Sequence, residues 1–397
     1  MYVAVDLASG NVRLHDADNF REFHVVPAGE GYAADVVKAL GVGGRIAAKP
    51  GDVMIDGGYL RTLSGRGGDP EWEAGFEKML GFAAKMGWID GPFVQAHIEW
   101  PKVTADTLWQ SVEERAALTP NLTMALDEAG RVVSFKEFRD HAEAVAAALH
   151  GLGVRSGDVV TWQLPTWIDA MVLTAALARV DAVQNPIISI YREHEVGFCS
   201  RQARAKLLIV PGVWRGFGFT AMGHAIAAAN DNIEVLTIER DGLPVGDAAV
   251  LPPPPAVHAD AAVAPVRWLM YTSGTTSDPK GARHVDHTHA IVARATAVRL
   301  DVQHGDRPSL TFPYPHIGGI MWLFTSLQTG CTLLFDESFD AQRTPKFLSE
   351  NGCTHPGSGT PFHLVYLAAQ RERQGTALFP QAKLFPGGGS PKPPEIF

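Results

Sequence analysis

Apolar positions recur along the chain at helical spacing in some stretches and in short continuous or alternating runs in others, and the two patterns alternate from the first hundred residues onward. In residues 70–83, Trp72, Phe76, Met79, Leu80 and Ala83 share one helical face, with Asp69 placed to cap the N-terminus and Pro70 to occupy the first turn. Residues 33–40 predict a shorter helix, and residues 51–60 and 93–100 predict strands. Residues 1–100 are therefore expected to form a small α/β domain. Gly65, Gly67 and Gly68 could cradle an anion, but a glycine cluster just before a capped helix reads as a turn. Nothing else in this stretch points to a chemistry.

From Pro101 the character changes, and a second domain is expected over residues 101–397. Ser134 and Glu137 form a capping box, Phe138, Val145, Leu149 and Leu152 follow at helical spacing, and Gly153 marks the stop. Residues 159–164 read as an apolar strand, 168–179 as a helix and 205–210 as another apolar strand. This alternation predicts a layered α/β fold with a mainly parallel sheet. Pro252-Pro253-Pro254-Pro255 cannot join a ladder or a helix interior, so it marks an exposed connection before the strand-like residues 266–271.

Composition narrows the partners. With 46% hydrophobic and 19% charged positions, the 397 residues can bury more than one core. Forty Gly and 27 Pro suit turns and functional loops better than an all-helical bundle. A formal charge of −9 argues against nucleic acid and against an anionic membrane surface, both of which select a basic excess, and leaves a small-molecule partner. Cys199, Cys331 and Cys353 are odd in number and widely spaced, which predicts reduced core thiols rather than disulfides or a cysteine zinc site. The N-terminus lacks a basic leader, and no run reaches about 18 apolar residues, so a cytoplasmic protein with no membrane span is expected.

The densest candidate chemistry follows residues 266–271, in Thr272-Ser273-Gly274-Thr275-Thr276-Ser277-Asp278-Pro279-Lys280-Gly281. Hydroxyls and backbone N–H groups can donate to polyphosphate oxygens, small side chains let the backbone approach, and the Lys280 ammonium offsets the negative charge. The spacing is not that of a Walker A loop. With Tyr271, the string closely resembles the phosphate loop of the adenylate-forming superfamily: acyl-CoA synthetases, luciferases and the adenylation domains of peptide synthetases. Ser277 stands where that family usually has Gly.

Other segments extend the resemblance in the same order. Leu164-Pro165-Thr166-Trp167, Asn185-Pro186 and Ile190-Tyr191-Arg192-Glu193-His194-Glu195 look like stretches upstream of the phosphate loop in synthetases for medium-chain and alicyclic acids. Pro313-Tyr314-Pro315-His316-Ile317-Gly318-Gly319 resembles the family's P-x-x-H-x-x-G element, and Gly387-Gly388-Gly389-Ser390-Pro391 its adenine-contacting G-G-x-P loop. The resemblance runs from about residue 107 to 397. It implies the large N-terminal domain of an adenylate-forming enzyme. It also implies nucleotide contacts by Thr272, Ser273, Gly274, Thr275, Thr276, Lys280, Gly388, Gly389, Ser390 and Pro391. A lone His in an apolar stretch is ordinarily structural, but the family position matching His316 lies where carboxylate and ATP meet, which makes His316 the candidate catalytic residue. His284, His287 and His289 match a His/Thr-rich helix start and are expected to be solvated or capping rather than zinc ligands; no metal ligand is assigned.

The implied reaction has two steps: a carboxylate attacks the α-phosphate of ATP, with Mg²⁺ bridging the phosphates, and the thiol of CoA then displaces AMP. Residues 313–321 and 357–362, with Phe312, Tyr314, Trp322 and Phe362, are expected to line a pocket for a compact apolar acid. In the family the Mg²⁺-binding Glu, a ribose-binding Asp and a catalytic Lys follow the G-G-x-P element, whereas this sequence ends at Phe397. A truncated ligase, or one completed by a partner chain, is therefore expected. The other reading is a non-catalytic nucleotide- or acyl-binding module that works with a partner chain.

Overall fold

The computed structural model describes residues 1–230, 232–258, 260–272, 278–373 and 375–388. The chain divides into two compact units: Met1–Lys102 with Leu118–Leu122 and Gln303–Gly305, and Val103–Ala117 with Thr123–Val302 and Asp306–Phe397.

The first unit is a mixed sheet with helices on its apolar face. Its main path runs Val12–His15, Tyr2–Asp6, His24–Ala28, Phe93–Ile98, Asp52–Asp56, Gly44–Ile46, with Tyr2–Asp6, His24–Ala28 and Phe93–Ile98 mutually parallel. Strand alternation turns Val3, Val5, Val25, Val94 and Ala96 inward. The helix Pro70–Lys85 starts where the Asp69 carboxylate accepts the N–H groups of Glu71 and Trp72, and it buries Trp72, Phe76, Met79 and Ala83. Each large apolar side chain buried in this way contributes roughly 1.5–3 kcal/mol. The helix Ala33–Leu40 has the predicted bounds. Residues 51–60 do not form one strand. Asp56 ends the strand Asp52–Asp56 because its carboxylate accepts the Tyr59 N–H at 2.8 Å, capping a new helix, Gly57–Ser64. The glycine cluster beyond it is a turn: Gly65 takes φ 64° at the helix end, and the Gly68 N–H is already engaged by the Glu73 carboxylate.

The second unit contains the predicted, mainly parallel sheet. Its order is Glu234–Ile238, Leu207–Pro211, Val159–Trp162, Val183–Pro186, Trp268–Thr272, Lys280–His284; the first five strands are parallel and the last is antiparallel. A smaller sheet orders Ser309–Leu310, Leu333–Phe335, Thr123–Asp127, Val132–Ser134. The helix Phe135–Gly151 opens on the predicted capping box, Ser134 Oγ accepting from the Glu137 N–H at 3.2 Å and Glu137 accepting from the Ser134 N–H at 2.8 Å. Leu152 does not join its buried face. It lies just past the last helical residue and is 47% exposed, because Gly153, at φ 87°, turns the chain away. The helix Ile168–Arg179 is buried on nearly every face, which is why its sequence is apolar all round. Cys199, Cys331 and Cys353 are free and buried, and burial pushes their thiols up to about 12, keeping them protonated. Among the described residues no helix is long and apolar enough to cross a membrane.

Candidate functional site

Five parallel strands put their carboxyl ends on one edge of the larger sheet, and three of the motif segments leave from that edge. Residues 164–167 follow Val159–Trp162, residues 187–195 follow Val183–Pro186, and the hydroxyl-rich loop follows Trp268–Thr272. In open α/β sheets the crevice outside the carboxyl ends is where ligands bind. The Gln163 amide ties the first two segments together, donating to the carbonyls of Ile188 at 2.9 Å and Tyr191 at 3.1 Å.

The loop springs from an antiparallel pair in which Thr272 stands opposite Lys280 and Tyr271 opposite Gly281. Gly281 is explained by that register, since an added Cβ would sit 2.9 Å from the Tyr271 ring. Tyr271 is in turn anchored through its hydroxyl to Gln202 Oε1 at 2.8 Å. Lys280 is exposed, and among the described residues nothing engages its ammonium. Ser273, Gly274, Thr275 and Thr276 of the predicted phosphate contacts lie outside the described residues, as do Gly389, Ser390 and Pro391.

His316 caps the helix Ile317–Thr329. Its Nδ1 accepts the Gly318 N–H at 3.1 Å, so the neutral ring carries its proton on Nε2 and offers it outward as a donor. Burial holds its pKa below the ordinary histidine value, favouring this neutral form. The glycine that closes the P-x-x-H-x-x-G string has a steric cause: a Cβ on Gly319 would come within 2.2 Å of the Tyr314 carbonyl oxygen.

Three further links, not apparent from the motifs, assemble the segments. Thr166 Oγ1 donates to the Phe312 carbonyl at 3.0 Å and accepts the Tyr314 N–H at 3.1 Å, joining residues 164–167 to the His316 segment. The Gly357 N–H donates to Ser309 Oγ, and its carbonyl accepts from Thr311 and Tyr366, which pins the Gly-rich turn. Gly359 then lies against the Gly388 carbonyl, 3.4 Å from where its Cβ would be, bringing the start of the G-G-x-P element alongside. The only trace of these links in the sequence is the presence of hydroxyl residues among apolar neighbours.

Two expectations about side chains are corrected. Among the described residues Tyr314 and Trp322 are buried core residues rather than open pocket wall. Tyr314 is fully buried between Trp162 and Phe335 with its hydroxyl on Thr174 at 3.1 Å, and Trp322 is 5% exposed. Phe312 and Phe362 remain half-buried. His287 and His289 are neither solvated nor capping. Both are buried in the helix Asp286–Arg299, and His289 stacks on Phe324 with its edge to Trp268. A cavity of about 350 Å³ opens near His287, between Trp109, Gln184 and Arg267. Gln184 and Arg267 mark the amino ends of their strands, so this cavity is at the sheet edge opposite the motif loops.

Residues 112–397 match the AMP-binding enzyme family. Long-chain-fatty-acid CoA ligase FadD13 of Mycobacterium tuberculosis is 27% identical over 289 residues, 72% of this chain and 56% of that protein. The 2-succinylbenzoate CoA ligase of Bacillus licheniformis is 26% identical over 287 residues, 70% of this chain and 55% of that one. The chain thus spans about half the length of the curated relatives it matches. The crystal structure of the N-terminal domain of FACL13 from Mycobacterium tuberculosis shares the fold, with a TM-score of 0.61 at 23% identity over 73% of this chain and 71% of that chain.

Proposed function

Because the chain belongs to the AMP-binding enzyme family, we propose that it serves in the ATP-dependent activation of a carboxylic acid to an acyl-adenylate, whose acyl group passes to the thiol of CoA. The observation that carries this reading is the hydroxyl-rich loop closed by Lys280 at the carboxyl edge of the parallel strands, with the His316 segment tied to the same edge through Thr166. In the first step a carboxylate oxygen bonds to the α-phosphorus while the bond to pyrophosphate breaks. Thr272 and Lys280 supply donors and charge to the phosphates, and the outward Nε2–H of His316 orients the acid. In the second step the thiol sulfur bonds to the acyl carbon and AMP leaves. Mg²⁺ enters this reading as the ion carried by the ATP phosphates, and no side chain of this chain is assigned to it. The half-buried Phe312, against Gly318, and the half-buried Phe362, just after Gly357 and Gly359 in the chain, suit a compact apolar acid. A cytoplasmic setting and a separate domain over residues 1–100 belong to the same proposal.

The test is mass-spectrometric detection of acyl-AMP after mixing the protein with Mg·ATP and medium-chain, alicyclic and aromatic acids. Acid-dependent acyl-AMP supports the proposal. ATP binding with no acyl-AMP from any acid assigns the chain instead to the nucleotide-binding modules.

The two roles of His316 can be separated. His316→Ala removes the cap and is expected to cost on the order of 1 kcal/mol of stability, whereas His316→Asn keeps a side-chain acceptor for the Gly318 N–H and most of that stability. Both variants lose the Nε2 donor, so both are expected to form acyl-adenylate more slowly with little change in ATP affinity. An unaltered rate in His316→Asn would leave the residue a cap and nothing more.

A further inference from the structure

The sheet of the first unit carries a row of rings on one face. His15, Tyr2, His24 and His97 come from four neighbouring strands and stand opposite one another in register, as the pairs Tyr2 with His15, Tyr2 with His24, and His24 with His97. Tyr2 stacks on both neighbours, at 5.0 Å from His15 and 5.4 Å from His24, and the rings of His24 and His97 are 5.5 Å apart. Glu99 lies two residues beyond His97 and so returns to the same face. Its carboxylate oxygens lie 3.0 Å from His97 Nε2 and 3.6 Å from His24 Nε2. One ligand atom from each of His24, His97 and Glu99 falls within 4.8 Å of the other two.

We propose that His24, His97 and Glu99 form an open binding site for a divalent transition-metal ion of the zinc type. Two imidazole nitrogens and one carboxylate oxygen are the donor set of three-ligand zinc sites that keep a fourth position for water or an incoming ligand. Bonds of about 2.0–2.2 Å in tetrahedral geometry set neighbouring donors roughly 3.3–3.5 Å apart. The two observed nitrogen-to-oxygen separations fall on either side of that range but run to different oxygens of Glu99, so the carboxylate has to turn for one oxygen to serve the ion. The remaining closure falls to His97 and Glu99, whose side chains are half exposed and can change rotamer, while His24 is only 17% exposed and already held by Tyr2. A surface His97–Glu99 pair would account for two of these groups, but not for a second imidazole, His24, in reach from a different strand.

The test is calorimetric titration of zinc into the full, tag-free chain, with cobalt(II) absorption as a second readout. The wild-type chain is expected to bind one zinc ion at this site, and cobalt is expected to show the visible band of a low-coordinate N/O site. His24→Ala, His97→Ala and Glu99→Gln are each expected to weaken binding at least tenfold and remove the band, with circular dichroism unchanged because two of the three side chains lie largely at the surface. His316→Asn, in the other unit, is expected to bind zinc as the wild type does. Zinc affinity unchanged in His97→Ala, or no saturable zinc binding by the wild-type chain, would overturn the assignment.

Discussion

Replacing Arg240 with methionine is expected to lower the stability of the second unit by about 2–4 kcal/mol, read as a lower urea midpoint with little change in slope. The guanidinium follows the edge strand Glu234–Ile238 and reaches three carboxylates: Asp127 at 2.7 Å, Glu128 at 2.9 Å and Glu337 at 2.8 Å. Asp127 ends a strand of the smaller sheet and Glu337 follows another, so one side chain ties the two sheets together. Burial by itself would lower the Arg240 pKa, but the hydrogen bonds to Asp127 and Glu128 outweigh it and raise it. Removing one partner from a buried ion cluster typically costs about 3–5 kcal/mol, because the charges left behind remain out of water. Arg240 is 28% exposed and Glu337 21%, so solvent screens part of that loss and the lower range applies. Arg240→Lys keeps the charge but not the planar fork that reaches several carboxylates, and it is expected to fall between. A midpoint unchanged in Arg240→Met would show the cluster to be dispensable.

The buried His289 is expected to give the protein an acid-sensitive limb of about 3 kcal/mol. Burial, with a smaller contribution from His284, holds its folded pKa near 4 against an ordinary 6.5. Among the described residues its Nε2 is buried without a partner, so a proton there would be a charge with none of them to meet it. Between pH 6.5 and 4 the unfolded chain therefore takes up a proton that the folded chain refuses. Stability contributed by the neutral ring is complete above pH 6.5, falls as the pH drops through that window, and levels off below about 4. His289→Leu removes this titration while keeping an apolar group against Phe324 and Trp268. The difference in stability between pH 7 and pH 4 is expected to be about 3 kcal/mol smaller in the variant than in the wild type. Parallel curves for the two proteins would show that His289 is not the group responsible.

What the sequence made legible was local. The Asp69 cap, the Ser134–Glu137 box and the bounds of Ala33–Leu40 and Ile168–Arg179 depend on residues within a few positions of one another, and these features stand in the structure as read. The break at Asp56 has a local cause too, but an Asp inside an apolar run reads as a strand residue until its carboxylate is seen on the Tyr59 N–H. Burial that depends on distant partners was not legible. Tyr314 looked like pocket lining because its neighbours form a motif, yet Trp162 and Phe335 enclose it from two other strands. His289 looked solvated because it sits in a polar string, yet Phe324 lies over it from another helix. In the candidate site, the strings containing Thr272, Lys280, His316 and Gly319 could be found in the sequence. The contact by which the Thr166 hydroxyl ties the His316 segment to residues 164–167 could not, since it acts across more than a hundred residues.

Lys280 is the residue that most directly tests whether the loop between Thr272 and Lys280 receives the phosphates of ATP. Its backbone stands at the far end of the loop in register with Thr272, and its ammonium is exposed and unengaged among the described residues, so removing it breaks no contact with them. A charge-assisted hydrogen bond to a phosphate contributes about 1.5–3 kcal/mol, which corresponds to roughly 10- to 150-fold in affinity. The measurement is calorimetric titration of Mg·ATP into the wild-type chain and into Lys280→Ala, at one fixed salt concentration. Saturable binding is expected for the wild type, weakened roughly 10- to 150-fold in the variant with its melting temperature unchanged. Equal affinity in the two proteins, or no ATP binding by the wild type, would contradict it.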